Sequence, residues 1–353
     1  MHPILEAAEQ SLELDLASLR TAAAATERRR EQASQAARDF LTVSKVAESV
    51  ALDIVAFGSI ARDEMAPGSD FDWLVVAHRY SENPEDFVQV KKAAIEARKE
   101  ISAEKEGPSG IFGTLVGATG LVNSIGLDVD TNLSHTRRIL MLEESVSLLK
   151  YDEHRALRQA ITARYLHDQA THDAGVPRFL LNDVIRYWRT VAVDYQAKRW
   201  EEVEGEKWGL RLLKLRSTRK LTFAGTVVSL LLPALQGRRP DPDGLTDQWE
   251  MPPLARLAQL HDVVGPQGQG YLREILQLAD QFAGWLQRDD FRQAAKGVDH
   301  LRSAPVGSEL REAYSATRAL NEALMSLFFC DEAIHDCPHP RGLQSLAHHY
   351  LVF

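Results

Sequence analysis

The stretch from Ile54 to Val76 constrains this chain more than any other. It reads Ile54-Val55-Ala56-Phe57-Gly58-Ser59, then Ile60-Ala61-Arg62-Asp63-Glu64, and closes on Ser69-Asp70-Phe71-Asp72-Trp73-Leu74-Val75-Val76. β-Branched and aromatic residues on both sides of a glycine–serine step predict a strand, a tight turn, a short helix or loop, and a second strand. Alternate residues of an extended chain share a face, so the spacing aims Asp70 and Asp72 one way and Phe71 and Trp73 the other. Two adjacent carboxylates repel, and a divalent cation between them relieves the repulsion. Gly58 allows a ligand close to the backbone, and Ser59 adds a hydroxyl beside the turn. These residues predict a cradle for a metal-bound triphosphate. A surface strand with two solvated acids would account for Asp70 and Asp72, but not for the run of Gly58, Ser59, Arg62, Glu64 and Ser69 around them.

At 353 residues the chain has room for about two domains. Residues 1–48 read as an N-terminal helix, rich in Ala, Glu, Leu and Arg with no Gly or Pro after Pro3. Within it, Glu27-Arg28-Arg29-Arg30-Glu31 reads as a solvated face. Residues 49–150 form the α/β domain, with strands at 52–57 and 71–77, a charged helix at 84–105, an apolar Gly-rich stretch at 107–126 and a helix at 134–150. Residues 151–353 carry almost only helical signals, at 153–170, 178–200, 206–236, 252–263, 270–297 and 308–333. Gly237-Arg238-Arg239-Pro240-Asp241-Pro242-Asp243-Gly244 is the clearest break. The expected fold class is α+β: a small mixed-sheet domain with an N-terminal helix, followed by an all-α helical domain.

A formal net charge of −9 argues against a surface that binds nucleic acid indiscriminately through its phosphates, while leaving room for a local basic groove. No apolar run reaches the roughly 18–20 residues needed to span a bilayer, and the first residues lack a secretory pattern. The two cysteines, Cys330 and Cys337, make no disulfide framework, so a cytoplasmic protein without a disulfide-linked partner is expected. Their spacing with His335 and His339 does not fit the paired-cysteine zinc knuckle.

The pattern Gly58-Ser59-x-x-Arg62-x-Glu64, then Ser69-Asp70-x-Asp72, resembles the polymerase-β-like nucleotidyltransferase superfamily. In its finer spacing it is similar to the branch that uridylylates PII or adenylylates glutamine synthetase, and to stand-alone bacterial nucleotidyltransferases related to it. The resemblance is tight over about 25 residues. It implies transfer of a nucleoside monophosphate from an NTP, such as ATP, to an acceptor, with release of pyrophosphate. It further implies two Mg²⁺ ions, or Mn²⁺ in their place, on Asp70 and Asp72. Gly58 and Ser59 would meet the β- and γ-phosphates, with Arg62 and Ser69 shaping the nucleotide site.

The superfamily also needs a third carboxylate from a later strand. Asp128 and Asp130 are the candidates, read as two apart on one short strand, with Asp130 preferred. The competing reading makes Asp130 or Ser134 the cap of the following helix. Arg62 and Glu64 could equally form a structural pair.

The segment Lys207–Lys220 carries six bases and no acid. On one helix Lys207, Arg211 and Lys214 would share a face, and related nucleotidyltransferases draw triphosphate ligands from their helical domain. Salt bridging to the acidic stretch Glu201–Glu206 is the alternative. Asn182 or Asp183 would cap a helix whose Tyr187 and Trp188 are read as core. The expected acceptor is a protein or an RNA, in a regulatory or toxin-like role. The rival expectation is a non-catalytic nucleotide sensor or interaction protein on the same fold.

Overall fold

Among the described residues, four short strands and fifteen α-helices can be traced. The computed structural model describes residues 1–79, 83–101, 111–167, 175–201, 207–329 and 342–351. The contacts divide these into two compact units. One contains 22–170 and 241–252; the other contains 1–21, 171–240 and 253–353.

In the first unit, β1 (Leu52–Phe57) lies antiparallel to β2 (Asp72–Ala77) and to β4 (Ser145–Ser147), and β3 (Leu115–Gly117) lies parallel to β2. The sheet order is β3-β2-β1-β4. The alternation of side chains sorts the sheet into two faces. Ile54, Ala56, Trp73 and Val75 join one buried cluster with Ala33 and Ala37 of α2 (Ala17–Val43) and with Val90, Ala93, Ala94 and Ala97 of α3 (Pro84–Ile101). The opposite face carries the row Asp72–Phe57–Ser145.

After β3 come α4 (Ala118–Asn123), α5 (Asn132–Glu143) and, beyond β4, α6 (Tyr151–Leu166). α10 (Pro242–Glu250) joins this unit through side chains on α6. Arg155 pairs with Asp247 at 2.6 Å, Arg158 with Glu250 at 3.2 Å, and the Trp249 indole N–H donates to Thr162 at 3.0 Å. Arg158 also donates to the carbonyls of Met141 and Ser145, tying β4 to α6. Burial lowers its pKa to about 10, against the pull of Glu250.

The second unit holds α1 (Pro3–Ser11), α7 (Arg178–Glu201), α8 (Trp208–Arg216), α9 (Thr218–Leu235), α11 (Pro253–Ala258), α12 (Pro266–Gln287), α13 (Asp289–Lys296), α14 (Glu309–Phe329) and α15 (Leu343–Leu351). α9 is buried along nearly its whole length, as its Val- and Leu-rich sequence requires. It meets α11 so closely that a Cβ on Gly225 would stand 2.0 Å from the Pro253 carbonyl oxygen. The obstacle is backbone, so Gly225→Ala is expected to cost about 1–3 kcal/mol. A urea melt showing no loss would contradict this close packing.

Several expected elements are redrawn. The single helix expected over 1–48 is two, because Glu13 takes a left-handed turn at φ 52° and the Glu9 carboxylate accepts the Leu16 N–H at 2.6 Å. The helix expected over 134–150 stops at Glu143, and the chain then forms β4. The helix over 206–236 breaks at Ser217 (φ −114°, ψ −92°), and Lys207 precedes α8 in the left-handed region at φ 78°. Lys207 therefore does not share a helical face with Arg211 and Lys214. The break placed at 237–244 ends early, because Asp241 caps α10 by accepting the Gly244 N–H at 2.8 Å.

Candidate active site

Gly58 begins a single 3-10 turn, Gly58–Ile60, directly off the end of β1. Its φ is +77°, a conformation open to glycine at little cost. A Cβ built there would lie 3.9 Å from both Arg62 Nη1 and Asp72 Oδ2. Gly58 is thus required by backbone conformation, and the space above it opens between a guanidinium and a carboxylate. The β1–β2 register sets Phe57 opposite Asp72, which brings the turn beside the acid.

Asp72 is the first residue of β2 and half-buried. Asp70 lies ahead of the ladder and is exposed. The strand geometry expected for both acids therefore begins at Asp72. Between them Phe71 is buried in the α2–α3 core, which anchors the segment that carries both carboxylates. Ser69 is buried, and its hydroxyl accepts the Ala66 N–H at 3.0 Å while its own N–H donates to the Ala66 carbonyl at 3.1 Å. Its contacts close the loop that delivers Asp70.

Arg62 lies beneath this site, 9 % exposed, between two carboxylates. Its Nε donates to Glu64 at 3.0 Å and its Nη1 donates to Glu144. Burial alone would lower the Arg62 pKa, but Glu144 and Glu64 together raise it above that of a free arginine. For Glu64 burial outweighs the attraction of Arg62, and its pKa is raised. Glu144 also contributes backbone: its carbonyl accepts the Gly58 N–H at 3.2 Å. The same residue thus holds the glycine turn by its main chain and the arginine under it by its side chain.

The loop from Ile60 to Met65 is fixed from α2. Arg30 donates to the Ile60 carbonyl at 2.6 Å and to Asp63 at 2.7 Å, Arg29 donates to the Met65 carbonyl at 2.9 Å, and Thr26 accepts the Met65 N–H at 2.8 Å. Arg29 and Arg30 are half-buried and serve as anchors, so only Glu27, Arg28 and Glu31 of that run form the solvated face expected. Glu144 and the α2 anchors carry no local motif. An arginine repeat on a helix beside a glycine turn is their only sequence signal.

Leu127–Asp130 forms turns instead of a strand, so strand alternation does not set the directions of Asp128 and Asp130. Asp128 is exposed. Asp130 receives both ends of the Arg138 guanidinium, at 3.1 and 2.6 Å, and Arg138 is itself fully buried with its Nε donating to the Tyr165 hydroxyl at 2.8 Å. Burial pulls the Arg138 pKa down, but the bond to Asp130 more than restores it. Thr131, and neither Asp130 nor Ser134, caps α5 by accepting the Ser134 N–H at 3.1 Å. On the strand beside β2, the residues leading into β3 are Phe112, Gly113 and Thr114, with the Gly113 N–H donating to the Trp73 carbonyl at 2.8 Å. No carboxylate stands there. Among the described residues, no group of three or more His, Cys, Asp or Glu side chains is arranged to hold a metal ion. Asp70 and Asp72 remain as a pair of hard oxygen donors. Such a pair suits Mg²⁺, which commonly takes one or two protein carboxylates and completes its shell with water and phosphate.

Lys207, Arg211 and Lys214 belong to the other compact unit. The Arg211 guanidinium lies over the Trp208 ring, 5.0 Å from its centre. Tyr187 is buried as expected, while Trp188 stacks on Phe223 at 5.3 Å. Asn182 and Asp183 lie inside α7, which starts at Arg178, so neither is its N-cap. Cys330, His335, Cys337, His339 and the acidic stretch at 202–206 lie outside the described residues.

Residues 43–108 match the family described as the nucleotidyltransferase domain. The match contains Gly58, Ser59, Arg62, Ser69, Asp70 and Asp72, and supports a place in the polymerase-β-like nucleotidyltransferase superfamily. It supports nucleotidyl transfer, with an NTP as substrate, as the general activity. No curated protein and no solved structure matches the chain. Among the described residues no helix is long and apolar enough to cross a membrane.

Proposed function

We propose that this chain transfers a nucleoside monophosphate from a Mg²⁺-bound NTP to a protein or RNA hydroxyl, releasing pyrophosphate. The observation that carries the reading is the left-handed Gly58 turn set beside the Asp72 carboxylate by the β1–β2 register. Asp70 and Asp72 would hold Mg²⁺, which supplies charge neutralisation at the phosphates and the leaving group. Gly58 and Ser59 would hold the β- and γ-phosphates through the 3-10 turn, in the manner of other short backbone nests. The acceptor oxygen forms a bond to the α-phosphorus, the bond from that phosphorus to the bridging oxygen breaks, and the acceptor proton leaves to solvent. Arg62, enclosed by Glu64 and Glu144, holds the turn in shape and does not itself take phosphate.

The spacing of Arg62, Glu64 and Ser69 favours the branch that modifies PII and glutamine synthetase. In this chain those residues are the supports of the turn and of the Asp70 loop, so the finer pattern is one of architecture around the acids. A regulatory or toxin-like modification of a macromolecule fits this reading.

One observation favours a nucleotide sensor instead: both oxygens of Asp130 are taken by Arg138. Incubation of the protein with each α-labelled NTP, Mg²⁺ and cell extract separates the two. The expected result is label on a protein or RNA band. Saturable NTP binding with no label transferred from any of the four NTPs would establish the sensor.

A further inference from the structure

Arg216 ends α8, Arg219 and Lys220 open α9, Arg302 lies on the 3-10 turn Leu301–Ser303, and Arg311 and Arg318 lie on α14. All six belong to one compact unit. Among the described residues none of the six is in ion-pair contact with a carboxylate. Glu309 is engaged by Arg288 at 2.7 Å, and the exposed Glu312 and Glu322 of α14 are in ion-pair contact with none of the six.

Three of them, Arg216, Lys220 and Arg311, touch aromatic, amide and carbonyl groups instead. The Arg216 and Arg311 guanidiniums stand over the Tyr314 ring, 5.7 and 5.8 Å from its centre. His300 meets the same ring edge-on at 5.7 Å. Arg311 donates to the Arg302 carbonyl. Lys220 donates to Asn321 at 2.7 Å, and its pKa is lowered by burial and by the charge of Arg216. Arg219 and Arg318 are exposed. In a protein with a net charge of −9, two guanidiniums here share a tyrosine ring rather than a carboxylate. Such crowding is relieved by an external anion.

We infer that the Arg216–Tyr314–Arg311 cluster, with Arg219, Lys220 and Arg318 beside it, binds the phosphate backbone of single-stranded RNA. Guanidinium forks match phosphate oxygens, and backbone binding needs only cations along a path. A protein partner would draw most of its affinity from buried aromatic or apolar anchors. Tyr314 offers none, because its ring is engaged by the two guanidiniums. The inference rests on the transferase reading only in assigning this RNA the role of acceptor; the binding itself does not depend on transfer.

The test is the anisotropy of a labelled oligouridylate on the full-length protein over a range of salt. Arg219→Gln with Arg318→Gln removes two exposed cations that make no side-chain hydrogen bond, ion pair or ring contact among the described residues, so the fold is expected to be retained. This pair is expected to weaken binding about tenfold at moderate salt and to flatten the slope of log K against log[salt] by about 1.4, at about 0.7 per phosphate contact on a single strand. Arg216→Gln with Arg311→Gln should do the same or more. Binding unchanged in the Arg219/Arg318 variant, no saturable binding by the wild type, or displacement of the RNA by polyglutamate at equal charge would each overturn the inference. Asp72→Asn is expected to leave RNA binding intact. Transfer without RNA binding sinks this inference alone, and RNA binding without transfer sinks only the enzymatic reading.

Discussion

Asp72→Asn is expected to reduce nucleotidyl transfer by at least about 100-fold, the scale seen when one electrostatic group of a reacting site is removed. Asparagine keeps the size and shape of the side chain, and Asp72 opens β2 at its half-exposed end. The ladder partner Phe57 and the buried neighbour Trp73 keep their positions. Stability should therefore change by no more than about 0.5 kcal/mol, or a melting shift of about 2 °C. Two measurements together check this: transfer from labelled NTP, and the Mg²⁺ dependence of NTP affinity by calorimetry. The wild type should bind NTP more tightly with Mg²⁺ than without, and the variant should lose most of that difference. A variant that keeps transfer excludes Asp72 from the reacting site. One that melts many degrees lower shows that the carboxylate serves the fold.

How much of this was legible from sequence differs between strand, turn and support. The strand–turn–strand around Gly58 was legible because β-branched runs and a Gly-Ser step are local signals. β4 was not, since Ser145-Val146-Ser147 is three residues long and carries no run to recognise. It exists because β1 offers it a ladder and Arg158 pins it from α6. Asp128 and Asp130 have the two-residue spacing of a strand, but Gly126 at φ 74° turns the chain, and the pull of buried Arg138 then decides where Asp130 points. The basic segment at 207–220 reads as one amphipathic helix until Ser217 breaks it. Its most distinctive cation, Arg216, is defined by a ring about a hundred positions away in sequence. The supports of the site were the least legible part. Thr26, Arg29, Arg30 and Glu144 reach the 58–65 loop from remote segments, and no spacing rule relates them to it.

Arg62 lies within the loop those supports hold and is paired with one of them, Glu144, and its removal is the largest stability effect expected. Arg62→Met leaves Glu64 and Glu144 facing each other in a buried pocket without a cation. Breaking a buried ion pair by removing one partner costs about 3–5 kcal/mol, chiefly the penalty of the stranded charge. The fault lies in the carboxylates left behind, so Arg62→Met combined with Glu64→Gln and Glu144→Gln should recover much of the loss. Arg62→Lys should not restore the wild type, because one ammonium cannot reproduce two forked bonds to separate carboxylates. The two partners are not equivalent. The raised pKa of Glu64 means that the folded protein holds a proton on this group more tightly than the unfolded chain does. Its contribution therefore favours folding at low pH and declines as pH rises from about 4.5, the unfolded value, through the raised folded one. Glu64→Gln should abolish that decline and be neutral or stabilising at pH 7–8. Glu144→Gln is expected to destabilise there, since it weakens the deeper of the two bonds to Arg62. Urea melts of the single and combined variants between pH 4 and 8 measure all of this. A Glu64→Gln variant less stable than wild type at pH 8 would overturn the pH dependence assigned to Glu64, and an Arg62→Met variant as stable as wild type would remove Arg62 as the keystone beneath the Gly58 turn.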